Sequence, residues 1–252
     1  MILTLDQIRD YTYCPKLYKL TYIDNLMKSR DALIELRFDT AMKQTANYFF
    51  YSVQDKTVPS IKDIRKKFGD LYIGNRTISE TAMLNKSRRN IARILENRSI
   101  NMLSNFHSKF SVEHGVPILI NKEYELKIGN TLVKGTFPII RETNDKEIEI
   151  LHFYVDYSIY LRDTLPITVK YDPLITASSL AFKKLYGSTI NCHTYYGMAS
   201  GNQVRINKTK SDYKSFIQMV NGISSAIQNN IFYPVWNNNC INCAYNKICT
   251  KS

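Results

Sequence analysis

Apolar residues near the start of the chain recur as Leu5, Ile8, Tyr11, Leu17 and Leu20, a helical spacing. Thr4 stands before them with Gln7 three residues on, the pair that closes a capping box, so a helix is predicted to begin there. Pro15 breaks the spacing just after Cys14 and predicts a kink or helix junction. From 31 to 110 the pattern stays helical in two blocks, Asp31 to Tyr51 and Ser60 to Phe110, parted by Val58-Pro59-Ser60. At Val116 the texture changes. Runs rich in β-branched residues predict strands over 116–121, 124–128, 131–140, 148–155 and 167–171, with Gly129-Asn130, Thr143-Asn144-Asp145 and Arg162-Asp163-Thr164 as turns. A helix over Pro173 to Tyr186 should end on Gly187, which suits a C-cap. A buried strand over Ser188 to Tyr196, a turn at Gly201-Asn202 and an amphipathic helix over Asp212 to Asn229 complete the pattern. This is an α/β arrangement.

The 252 residues suffice for one sizeable core with at most one inserted region. No apolar run approaches the roughly 20 residues of a membrane span, and the N-terminus lacks a signal-peptide core, so a cytoplasmic, membrane-free protein is expected. The 34 basic against 22 acidic residues give a net charge of +12, which draws polyanions, and 18 tyrosines offer faces for stacking on exposed bases. The excess concentrates in the second helical block, at Lys62, Arg65, Lys66 and Lys67 and then at Lys86, Arg88, Arg89, Arg93 and Arg98. For any one of these a solvated helix face is the simpler reading. For Lys86, Arg88, Arg89 and Arg93 together, phosphate contact weighs equally.

Three of the five cysteines, Cys240, Cys243 and Cys249, lie within ten positions, and Cys14 stands alone far upstream. Four thiolates complete a tetrahedral site for one zinc or a [4Fe–4S] cube, and in an intracellular chain this outweighs disulfides. Cys192 sits in an apolar stretch and reads as a small buried hydrophobe. The histidines His107, His114, His152 and His193 share no metal-ligand spacing, and no glycine loop for phosphate is present.

The opening Leu5-Asp-Gln-Ile8-Arg-Asp-Tyr11-Thr-Tyr-Cys14-Pro15-Lys16-Leu-Tyr18 and the closing Tyr233-Pro-Val-Trp-Asn-Asn-Asn-Cys240-Ile-Asn-Cys243-Ala-Tyr-Asn-Lys-Ile-Cys249 together resemble both ends of the iron–sulfur RecB/AddB-like PD-(D/E)XK nucleases, which include the four-cysteine CRISPR-adaptation exonucleases. The resemblance implies a restriction-endonuclease-like core, a mixed central sheet flanked by helices. It implies one domain over 1–252, with a helical insertion over 31–112 and a cysteine-rich closure over 233–252. It also implies a [4Fe–4S] cluster on Cys14, Cys240, Cys243 and Cys249, with zinc as the alternative.

The family's catalytic positions are altered. Where its helix carries a histidine, Asp39-Thr-Ala-Met-Lys43 places Lys43. Two registers remain open for the strands. In one, Gly135-Thr-Phe-Pro138 and Leu151-His152-Phe-Tyr154 put Pro138, His152 and Tyr154 where the ligands and lysine belong. In the other, slightly preferred, Asp156 and Lys170 survive as remnants and Thr168 replaces the acid. Glu125-Leu-Lys127 has the spelling of an E-x-K but the wrong place in the chain, and Asp145, Glu147 and Glu149 would serve only after rearrangement. The expectation is a non-cutting protein with no Mg²⁺ or Mn²⁺ requirement that binds DNA, by single strands or ends, through Lys43, Lys86, Arg88, Arg89, Arg93 and Lys170, or that works inside a DNA-processing, replication or recombination complex. The alternatives are an active Mg²⁺- or Mn²⁺-dependent DNA exonuclease with relocated acids, and a protein-binding adaptor that never touches nucleic acid.

Overall fold

The computed structural model describes residues 1–26, 30–74, 86–155, 172–236, 240 and 243–249. Helix α1 (Leu5–Tyr13) opens with the expected capping box between Thr4 and Gln7. Cys14 is extended, and Pro15 takes the first position of α2 (Pro15–Tyr18), where its missing N–H costs nothing. One π-helical turn (Lys19–Ile23) follows. The two predicted helical blocks appear as α3 (Arg30–Gln54), α4 (Ile61–Gly74) and α5 (Lys86–Phe110).

The sheet has six strands and mixed polarity: β1 (Ile2–Thr4), β2 (Val116–Ile128), β3 (Thr131–Glu142), β4 (Ile148–Tyr154), β5 (Cys192–Gly197) and β6 (Gln203–Ile206). The two runs at 116–128 form one strand, because the register continues unshifted past Asn121, whose φ is positive, with Ile120 opposite Ile139 and Lys122 opposite Phe137, and the only register shift falls at Pro117. Strands β1 and β6 are three and four residues long and were not foreseen. Runs that short carry no period. The expected strand over 167–171 lies outside the described residues.

The chain returns through α6 (Pro173–Tyr186) to β5, which is parallel to β4. It then passes through β6 to α7 (Lys210–Gln228), capped by Thr209, and ends in α8 (Asn246–Cys249).

Period-two alternation divides the core between the two faces of the sheet. Ile139 and Leu151, opposite one another, share a core with α3, α4 and α5 through Phe49, Phe50, Phe68, Phe106 and Phe110. Ile140 and Ile150, next along, face α1, α6 and α7 through Ile8, Ala181 and Val220. The result is the anticipated mixed sheet flanked by helices on both sides.

One break in the sheet positions the main cleft. Along a single edge, β3 pairs with β1 at Leu132 to Lys134 and with β4 from Ile139 onward, while β2 covers the opposite edge. The edge between is unpaired at Gly135 to Pro138. Proline fits there because no ladder needs its N–H.

Candidate functional site

Two places gather chemistry. The first is the chain closure. Lys16 N donates to Tyr233 O at 3.1 Å, Tyr11 Oη to Ile231 O at 2.6 Å and Tyr245 Oη to Leu26 O at 2.7 Å, while Tyr18 stacks on Phe232 with rings 6.1 Å apart and 6° from parallel. These bonds fasten the C-terminal segment to the first helices. They bring Cys14, Cys240, Cys243 and Cys249 to the wall of one recess, with Tyr13, Lys16, Leu17 and Trp236 around them.

Val235 N–H points to the Cys14 sulfur at 3.5 Å, and the Cys240 thiol to Val235 O at 3.6 Å. Burial raises the pKa of the Cys249 thiol, the nearby Cys14 adds to the rise, and Lys16 opposes it. The donor set is the one a cubane or a zinc requires. The recess, however, measures only about 30 Å³, and among the described residues no three His, Cys, Asp or Glu side chains form a group able to hold an ion.

The second place is a cleft of about 640 Å³, within the size range of small-molecule sites. It opens at the unpaired edge of β3, between α3 and the start of α1. Lys43, Pro138 and His152 all line it, whereas Tyr154, the third residue of the first strand register, packs against Tyr195 instead. Asp156 and Lys170, the remnants in the second register, lie outside the described residues.

Lys43 does not present a free charge, because Asp39 lies 2.7 Å from it, one helical turn back. Arg9 and Lys134, the other cations of the cleft, are matched by Asp6 at 2.5 Å and Glu125 at 2.9 Å. The Glu125 that spells an E-x-K therefore belongs to a cross-strand ion pair. With Glu123 also in the wall, four carboxylates, Asp39 among them, face three cations.

Under this wall lies a chain that sequence spacing concealed. His152 on β4 and His193 on β5 are 41 positions apart, yet their Nε2 and Nδ1 atoms stand 3.1 Å apart, and His193 Nε2 bonds to Ser179 Oγ on α6. Tyr195 stacks on His152 with ring centres 4.4 Å apart. Burial, reinforced by the Lys43 charge, lowers the His152 pKa to about 3, and burial likewise holds His193 well below its usual value. Both rings are neutral near pH 7.

Beside the chain, Tyr124 crosses Gly135 on the paired strand. A Cβ at Gly135 would come within 2.5 Å of the Tyr124 ring and hydroxyl, so only glycine admits the tyrosine. Burial pushes the Tyr124 pKa up to about 12.

Cys192 is buried as expected but is no inert hydrophobe. Arg205 reaches its sulfur at 3.0 Å, and Glu149 stands 3.7 Å away in a network with Arg141 and Thr194. Glu147 is held by Arg205 at 2.6 Å, so neither carboxylate is spare. In the basic cluster Arg93 is exposed on α5, and the side chains of Lys86, Arg88 and Arg89 lie outside the described part. No helix among the described residues is long and apolar enough to cross a membrane.

No family model and no curated protein matches the chain. Among solved structures it is similar to SSO0001, with 14% identity, a TM-score of 0.38 and coverage of 82% of this chain and 96% of that one. It is likewise similar to a candidate exonuclease from Eubacterium rectale, at 11% identity and a TM-score of 0.44 over 92% of this chain and 83% of the other.

Proposed function

We propose that the chain is a RecB-like nuclease fold that has lost its cutting chemistry, is closed by a [4Fe–4S] cluster on Cys14, Cys240, Cys243 and Cys249, and works by binding nucleic acid. The observation that carries this reading is the meeting of Lys43, Pro138 and His152 in one cleft. In the resembled nucleases these positions supply a histidine and two carboxylates to Mg²⁺ or Mn²⁺. A lysine, a proline and a neutral imidazole are not the hard oxygen ligands such ions need. When bound, the cluster supplies a covalent-strength clamp between the chain ends and no redox step is required of it. Tyr13 and Lys16 screen the thiols, and Val235 N–H and the pairing at Tyr233 fix the approach of the closing segment.

Nucleic-acid contact falls to the helical layer, at Arg93 with Lys86, Arg88 and Arg89, because the cleft is electrically balanced. That balance also favours a second reading, an adaptor that binds protein alone. The test is a paired assay on cluster-loaded protein: Mg²⁺- and Mn²⁺-dependent cleavage of single-stranded DNA, and retardation of the same DNA over a salt series. We expect no cleavage, and retardation whose salt slope flattens by about one unit or more when Arg88 and Arg89 become Glu. Cleavage abolished by Asp156→Ala would overturn the non-cutting reading, and absence of retardation at low salt would leave the adaptor.

A further inference from the structure

The cleft is balanced at its rim and uncharged at its floor. Arg9, Lys43 and Lys134 each face a carboxylate, and Glu123 opposes any phosphate that enters. The floor offers His152, whose Nε2 is engaged with His193 while Nδ1 has no partner among the described residues. Two proton arrangements of the chain are equivalent in charge. With Nε2–H of His152 donating to His193 and His193 donating to Ser179, the His152 Nδ1 keeps a lone pair. With Ser179 donating to His193 and His193 donating to His152, Nδ1 carries the proton. The same nitrogen can accept or donate without any charge being buried.

The second observation is independent. Tyr124 is 4% exposed, lines the same cleft beside Ser178, and its hydroxyl, with Ser178 near it, makes no well-aligned hydrogen bond among the described residues. Phenylalanine would fill this space equally well, so the unpaired hydroxyl is explained by a partner that arrives from outside. It is covered from solvent and packed across Gly135.

We propose that this cleft binds a nucleoside, free or as the end of a strand, through neutral hydrogen bonds from His152 Nδ1 and the Tyr124 hydroxyl rather than through phosphate or a metal ion. A nucleobase presents donors and acceptors on one planar edge, and a nitrogen that can play either part tolerates different bases. The inference rests on the nucleic-acid reading above, and it gives that reading a place for an unpaired end while the phosphates lie along the helical layer.

The experiment titrates cluster-loaded protein with the four deoxynucleosides, their 5′-monophosphates, and linear and circular single-stranded oligonucleotides of one composition. Binding is followed by calorimetry and by ¹⁵N signals of the His152 ring. Nucleosides should bind, monophosphates within about twofold of them, and the His152 nitrogens should shift on binding. Tyr124→Phe should bind about tenfold more weakly while melting no lower than the parent. Tighter binding of linear than circular strands assigns the site to strand ends, and equal binding assigns it to the free nucleoside. Failure of every nucleoside to bind, or unchanged affinity in Tyr124→Phe, overturns the site. If the oligonucleotides still bind in that case, the nucleic-acid reading survives, and if they do not, it falls as well.

Discussion

His152 and His193 carry the clearest pH signature. Their folded pKa values lie below the unfolded value near 6.5, so the unfolded chain binds more protons as the medium is acidified, and stability present above pH 6.5 is lost as pH falls toward 3. Each ring contributes a slope of up to about 1.4 kcal/mol per pH unit in that window. Urea unfolding at a series of pH values should show the acid loss, and His152→Gln should shallow it. An acid limb identical to the parent's would contradict the burial of a neutral ring. Arg141 and Glu149 make a second case. Both are nearly fully buried, 2.5 Å apart, with the guanidinium lying over Phe50 and Phe110. Arg141→Met should cost about 3–5 kcal/mol by stranding the carboxylate, and the double change to Arg141→Met with Glu149→Leu should recover most of that. At this scale the meeting of Cys240, Cys243 and Cys249 at one recess was legible because they stand close along the chain. The histidine pair was not legible, because it forms across β4 and β5 through the sheet register.

Element boundaries follow from local chemistry where caps exist. Thr4 and Thr209 both close capping boxes, and the first was readable in Thr4-Leu-Asp-Gln7. Thr209→Ala should lower stability by about 1 kcal/mol with an unchanged denaturant slope, since only the helix start is affected. An effect near zero would mean that packing of Phe216 and Val220 alone holds α7. Strands with a clear alternation, β3 and β4, were found close to their expected limits. The pairing that creates the cleft was invisible, because the switch of β3 from β1 to β4 depends on a three-residue strand at the very start of the chain.

For the whole molecule, two layers of helices on a mixed sheet were anticipated, but the charge of the cleft was not. Sequence shows a basic chain, and only coordinates show that Lys43, Arg9 and Lys134 are each matched. Protein purified without oxygen should be brown and contain about four iron atoms per chain. Cys14→Ser should lose iron and solubility together, whereas zinc in place of iron would transfer the site to the tetrahedral alternative. The closure also sets a clock on biosynthesis. Cys249, which lines the same recess as Cys14, is added 235 positions after it. At about 5–20 residues per second the first thiol waits roughly 10–50 s on the ribosome. Through that interval Tyr11 on α1 has no Phe232 to pack against and Leu26 O no Tyr245 hydroxyl to accept from, so the opening helices stay unbraced until the closing segment is made.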